Sequence, residues 1–140
     1  MKILRFQAGH LDGLILQSAQ QDMADYMSRD YGVRLAQAGD AFTAIKDGRV
    51  LGCAGVERVW CNRGVAWSLL GRISAYEFLA VHRCVAAFLK GLPLRRVEMT
   101  VDSLHAPGHR WASLLGFQHE GTLRAYTPDG RDCDLYARIS

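Results

Sequence analysis

The chain has little of what marks most specialised protein classes. Among 140 residues there are four cysteines and three prolines. Cys53, Cys61, Cys84 and Cys133 show no C-x-x-C spacing, which leaves no readable zinc or dithiol motif. Each lies among apolar or strand-forming residues, so reduced core thiols in a cytoplasmic setting are expected. Charge of one sign is scarce as well. Seventeen Lys and Arg against fourteen Asp and Glu leave +3, and no basic run concentrates it, which argues against a nucleic-acid partner. No apolar stretch approaches the ~18 to 20 residues of a membrane span, and Arg5, Gln7, His10 and Asp12 interrupt any secretory h-region. Gly-x-Ser-x-Gly, a Walker loop and a Cys/His catalytic pairing are all missing. His105 and His109 stand four apart, but Pro107 and Gly108 spoil a regular helix between them and no third ligand follows, so no metal site is expected.

What is present is an ordinary globular balance, 49% hydrophobic and 22% charged. It is expected to form one domain, 1–140, able to bury roughly two-thirds of its unfolded surface without a staple. Leu4, Phe6 and Ala8 alternate with Arg5 and Gln7 as in a short strand. Leu11, Leu14/Ile15, Ser18/Ala19, Met23 and Tyr26/Met27 then recur at helical spacing. Ser28 to Asp40 has no clear period and reads as a loop or a broken second helix. Ala41 to Lys46 and Arg49 to Trp60 flank Asp47-Gly48, a dipeptide suited to a two-residue hairpin turn. Gly52 and Gly55 in the longer arm suggest a bulge or a close backbone approach.

Gly64 to Leu70 is nearly all apolar, as a central strand covered on both faces would be. Ser74-x-x-Glu77 is a capping box that should start a helix, with Phe78, Val81, Val85 and Phe88/Leu89 as its buried stripe. Gly91, by a left-handed residue, and Pro93 are expected to end it near Lys90. Arg96 to Val101 alternates as a strand, completing a β-α-β unit. A short helix follows, with Pro107 in its first turn, Trp111, Leu114 and Leu115 on one face, and Gly116 as terminator. Phe117 to Tyr126 and Arg131 to Ile139 flank Asp129-Gly130 as a second hairpin, with Cys133, Leu135, Ala137 and Ile139 on one face. The order is β-α-(α)-β-β-β-α-β-α-β-β, a mixed α/β domain.

That order, together with Trp111-Ala112-Ser113-Leu114-Leu115-Gly116-Phe117-Gln118-His119-Glu120-Gly121-Thr122-Leu123-Arg124, resembles the GNAT superfamily of acyl-CoA-dependent N-acetyltransferases. Members commonly run a short helix into Leu-Gly-Phe and then Glu-Gly on the next strand, with an Asp and a Tyr near the end, which Asp134 and Tyr136 resemble. The resemblance implies a mostly antiparallel mixed sheet with a splayed central parallel strand pair flanked by helices. It implies acetyl-CoA as co-substrate and direct attack of a primary amine on the thioester. The acceptor would be an amine-bearing small molecule or a protein terminus, with neither nucleic acid nor membrane as partner and a homodimer left open. The cofactor would lie along Leu69 and Leu70, its pyrophosphate at the helix start formed by Gly71, Arg72, Ile73, Ser74 and Ala75, where free N–H groups and positive partial charge favour anions. His105 would hydrogen-bond the pantetheine where relatives often place an Asn, and Arg110 would reach a phosphate. Glu57 is the candidate base and Tyr126 the tyrosine nearest in sequence to serve as acid.

Two departures bear on this. The family's Arg/Gln-x-x-Gly-x-Gly/Ala junction is replaced by Gly71-Arg72-Ile73-Ser74-Ala75-Tyr76, with Glu77 bringing a carboxylate into the first helical turn. The position of the family's frequent acid, a tyrosine five residues before Phe117, holds Ala112. A compact, non-catalytic GNAT-fold binding or structural protein, of a kind found among phage and virion proteins, is therefore the alternative.

Overall fold

The computed structural model describes residues 1–16 and 29–140. Strand β1 (Lys2–Arg5) is followed by a 3-10 turn at Ala8–Leu11, helix α1 (Arg29–Gln37), strands β2 (Gly39–Lys46), β3 (Arg49–Trp60) and β4 (Arg63–Leu70), and helix α2 (Ala75–Gly91). Strand β5 (Arg96–Asp102), helix α3 (Ala106–Leu114) and strands β6 (Gln118–Leu123) and β7 (Cys133–Ile139) complete the chain. Among the described residues the sheet order is β1-β2-β3-β4-β5-β7-β6, so the apolar strand β4 is the middle one of seven. Its residues Val65 to Ser68 are only half-buried, so it is not sealed on both faces as expected. β4 and β5 form a parallel pair, and the registers β1/β2, β2/β3, β5/β7 and β6/β7 are antiparallel. This is the GNAT-like mixed α/β sheet.

The chain divides into two compact units, Met1–Glu57 with Trp67–Leu92, and Arg58–Ala66 with Pro93–Ser140. In the first, Phe6, Leu11, Leu16, Leu35, Ala41, Cys53 and Leu69 form a buried cluster, with Trp67 edge-on to Phe6. Asp47 and Gly48 take φ of 51° and 74°, the left-handed pair a tight hairpin needs. The register slips between Ala44 and Ile45, beside Gly52. Gly52 is also a close approach: a Cβ there would lie 2.7 Å from Leu70 Cδ2.

In the second unit Val97, Val101, Trp111, Ala112, Leu115, Phe117, Cys133, Tyr136 and Ala137 are buried. Gly116 stops α3 with φ of 87°. A second slip between His119 and Gly121 bulges out Glu120.

Several sequence expectations shift. The first strand ends at Arg5, and Phe6 enters the core beyond it. The helix expected from Leu11 does not begin there: Gly13 has φ of 76° and Leu16 forms an isolated bridge with Gly71. The remainder of that segment, 17–28, lies outside the described residues. The undecided stretch before β2 contains a helix, α1. Helix α2 ends without a left-handed residue, because Leu92 leaves in extended conformation and donates back to the Leu89 carbonyl. Leu114 is exposed, and Tyr136 rather than Leu135 is buried. The second hairpin is no two-residue turn; its loop folds on itself, with the Tyr126 and Thr127 N–H groups donating to the Arg131 carbonyl. All four cysteines are free, and Cys61 and Cys84 are exposed. Cys61 sits in the β3–β4 turn, and Cys84 lies off the Val81, Val85, Leu89 stripe.

Candidate active site

The start of α2 is built from local chemistry. Ser74 Oγ accepts from the Glu77 N–H at 3.2 Å, and the Ser74 N–H donates to Glu77 Oε1 at 2.9 Å. A helix start leaves its first four N–H groups without intrahelical partners. The box satisfies two of them, and the N–H groups of Ala75 and Tyr76 have no partner among the described residues. Glu77 is buried, and its carboxylate also receives Arg49 Nη2 at 2.6 Å. The Ser74 N–H, and after it Arg49, hold its carboxyl below the usual carboxylate range. The charge that would repel a diphosphate is thereby partnered by Arg49, while Arg72 stays exposed at the same turn. Gly71 and Arg72 are tethered through their N–H groups to Leu51 O at 2.8 Å and Ile15 O at 3.2 Å. Leu69, Leu70 and Gly71 are buried, Ile73 is half-buried and Ala75 exposed.

Glu57 is half-buried on β3 and stands opposite Gly39 in the β2 register. It lies close enough to Tyr31 to raise that phenol, adding to the larger effect of burial.

In the second unit the parallel register of β4 with β5 runs from Arg63 opposite Arg96 to Val65 opposite Glu98. Two half-buried arginines frame it. Arg63 donates from Nε and Nη2 to Glu98, at 2.5 and 3.1 Å, and Arg96 Nε donates to the same carboxylate at 2.9 Å. Arg96 continues to the bulged Glu120 through both Nη atoms. Glu98 is held at about 2 by Arg63 first and Arg96 next, against the opposing effect of burial.

His105 is the residue before α3, half-buried and making no side-chain cap. Burial lowers its pKa, which keeps the ring neutral at pH 7. Arg110 is exposed on α3, and Tyr126 is 57% exposed in the β6–β7 loop. Ala112 is 0% exposed, so a tyrosine at the family's usual acid position has no room without repacking.

Sequence reasoning missed a polar cluster between α3, β6 and β7. His109 Nδ1 meets the Tyr136 hydroxyl at 2.6 Å, and His109 Nε2 meets the Ser103 carbonyl at 3.0 Å. Asp134 takes His119 Nε2 at 3.0 Å and the Thr122 hydroxyl at 2.7 Å, and His119 foremost, then Thr122, lowers its carboxyl. Burial raises the Tyr136 phenol. The pairing of His119 with Tyr136 and of Thr122 with Asp134 was in principle readable from strand register. His109 joins from a helix, which no sequence pattern announces. Among the described residues no three metal-ligating side chains gather, and no helix is long and apolar enough to cross a membrane.

No protein-family model and no curated protein matches this sequence. Solved structures do. An aminoglycoside 6'-acetyltransferase type Ii is similar with a TM-score of 0.75 at 13% identity, over 99% of this chain and 97% of that one. A GNAT-family acetyltransferase from Bacillus anthracis gives 0.68 at 15% identity, over 98% and 93%. A spermidine N-acetyltransferase variant from Vibrio cholerae gives 0.67 at 11% identity, over 99% and 95%. The chain has the GNAT superfamily fold.

Proposed function

We propose that this protein is an N-acetyltransferase that moves the acetyl group of acetyl-CoA to a primary amine. The observation that carries the reading is the fold over nearly the whole chain, similar to proteins named as acetyltransferases. The start of α2 supports it: two N–H groups without a partner among the described residues, exposed Arg72, and a Glu77 already committed to Arg49 and Ser74 suit a diphosphate. In this reading the turn from Gly71 to Ala75 receives the pyrophosphate through the Arg72 side chain and the N–H groups of Ala75 and Tyr76, the Gly71 and Arg72 N–H groups being already tethered, and Leu69 and Leu70 flank the pantetheine arm.

The amine nitrogen attacks the thioester carbonyl. The C–S bond then breaks, and the amine proton leaves to Glu57, directly or through a water. The departing CoA thiolate takes up a proton from water; the products are the acetamide and free CoA thiol. The acceptor is an amine-bearing small molecule or a protein N-terminus, in the cytoplasm.

Ala112 and the altered helix junction favour a second reading, a non-catalytic GNAT-fold binding or structural protein. Thermal unfolding with acetyl-CoA separates the two. Ligand at a hundred times its dissociation constant adds about 2.7 kcal/mol, a clear rise in Tm. An unchanged Tm at millimolar acetyl-CoA refutes the transferase reading.

A further inference from the structure

At the turn joining β3 to β4 the second unit carries a cavity of about 290 Å³, lined by Trp60, Asn62, Arg63, Arg95, Arg96 and Ile139. Its three arginines differ in how they are engaged. Arg63 is forked onto Glu98, with its guanidinium 4.8 Å from the centre of the Trp60 ring. Arg96 spends Nε on Glu98 and both Nη atoms on Glu120. Arg95 has no side-chain hydrogen bond or ion pair among the described residues; only its carbonyl is engaged, by the Ser140 N–H at 2.8 Å. Among the described residues, the Arg95 fork, Arg63 Nη1 and the Asn62 amide are lining nitrogens that make no hydrogen bond. Glu98 and Glu120 offset two of the three cations, leaving one positive charge. Beside these donors stand exposed apolar side chains: Trp60 is 58% and Ile139 57% exposed.

We propose that this surface docks an acidic segment of a partner protein, one in which a carboxylate side chain neighbours an apolar side chain. The carboxylate pairs with the Arg95 fork, the geometry that matches a planar guanidinium. The apolar neighbour covers Trp60 and Ile139. Exposed Trp and Arg side by side are the residue types that dominate binding energy at interfaces. A single uncompensated cation fits one carboxylate better than a nucleic-acid backbone, whose affinity rests on neutralising several phosphates. The cavity is at or below the small end of the range for free ligands, ~300 Å³ upward, which favours a chain segment over a small molecule.

The test is fluorescence anisotropy with a fluorescein-labelled peptide, Gly-Glu-Phe-Asp-Leu-Gly, and its Gln/Asn counterpart, on the full chain. Saturable binding of the acidic peptide is expected, weaker by about tenfold in Arg95→Glu and in Trp60→Ala, and weaker as salt rises. Both side chains are exposed, so the variants should keep the parent's circular dichroism; should Trp60→Ala alter it, Arg95→Glu and Arg95→Ala carry the test. Absence of saturable binding up to ~1 mM, or equal affinity for the neutral peptide or across the variants, overturns the proposal. So does displacement by phenylacetate at the peptide's own concentration, which marks a small-molecule site. Tighter binding of single-stranded DNA, or a dimer dissociated by Trp60→Ala, assigns the surface to a nucleic acid or a second copy and overturns it equally. None of these outcomes depends on acetyl transfer.

Discussion

Glu98→Gln removes the charge that Arg63 and Arg96 share while keeping the side chain's shape. The two arginines lower the Glu98 carboxyl from the ordinary 4.5 to about 2. At 1.36 kcal/mol per unit this difference amounts to about 3 kcal/mol of stability at neutral pH. The Glu98 side chain is 12% exposed and each arginine 29%, so solvent screens the pair only in part and a loss of about 2 to 3 kcal/mol is expected. Because the folded pKa is depressed, the contribution is complete above the unfolded value and disappears as pH falls from about 5 toward 2. Urea unfolding of parent and variant across that range is the assay. The gap in unfolding free energy should be full at pH 7 and close to nil near pH 2. A gap below about 0.5 kcal/mol at pH 7, or one that does not narrow in acid, would refute the pairing of Glu98 with Arg63 and Arg96 as a source of stability.

Gly39→Ala should cost about 3 kcal/mol in the same assay, since a Cβ there would fall 2.0 Å from the Val56 carbonyl oxygen, which strand pairing holds in place. Ser74→Ala opens the capping box and should lose about 1 kcal/mol; no loss would mean the box adds nothing beyond the Arg49–Glu77 pair. If transfer occurs, Glu57→Gln should lower kcat more than it raises KM for acetyl-CoA, whereas Arg72→Ala should mainly raise KM; steady-state kinetics identical to the parent in both would remove those roles. Asp134→Asn should weaken the contact of β6 with β7, read as faster amide exchange at His119 and Thr122.

The elements most legible in the residues were those whose cause is local. Asp47-Gly48 supplies two left-handed residues in succession, Ser74 and Glu77 sit at the spacing of a reciprocal cap, and Gly116 ends a helix by a positive φ. The helix expected from Leu11 was less safe. Its period is real, but a turn with Gly13 at positive φ and the bridge of Leu16 to Gly71 occupy the first residues, and that bridge is a long-range contact that no window of neighbours contains. Of the candidate site, the turn before α2 was readable as a helix start. The partner that commits Glu77 was not, because Arg49 lies 28 residues away.

The sequence by itself determined the order of elements from β2 onward, the central place of β4 and the N-terminal cap of α2, because periodicity and backbone preference act over a few residues. Tertiary structure alone decided which charges pair. It set the Glu98 carboxylate between Arg63 and Arg96, placed His109 against Tyr136 and closed the space around Ala112. These outcomes come from packing among segments far apart in the chain, where each contact is weak and only their sum selects a partner.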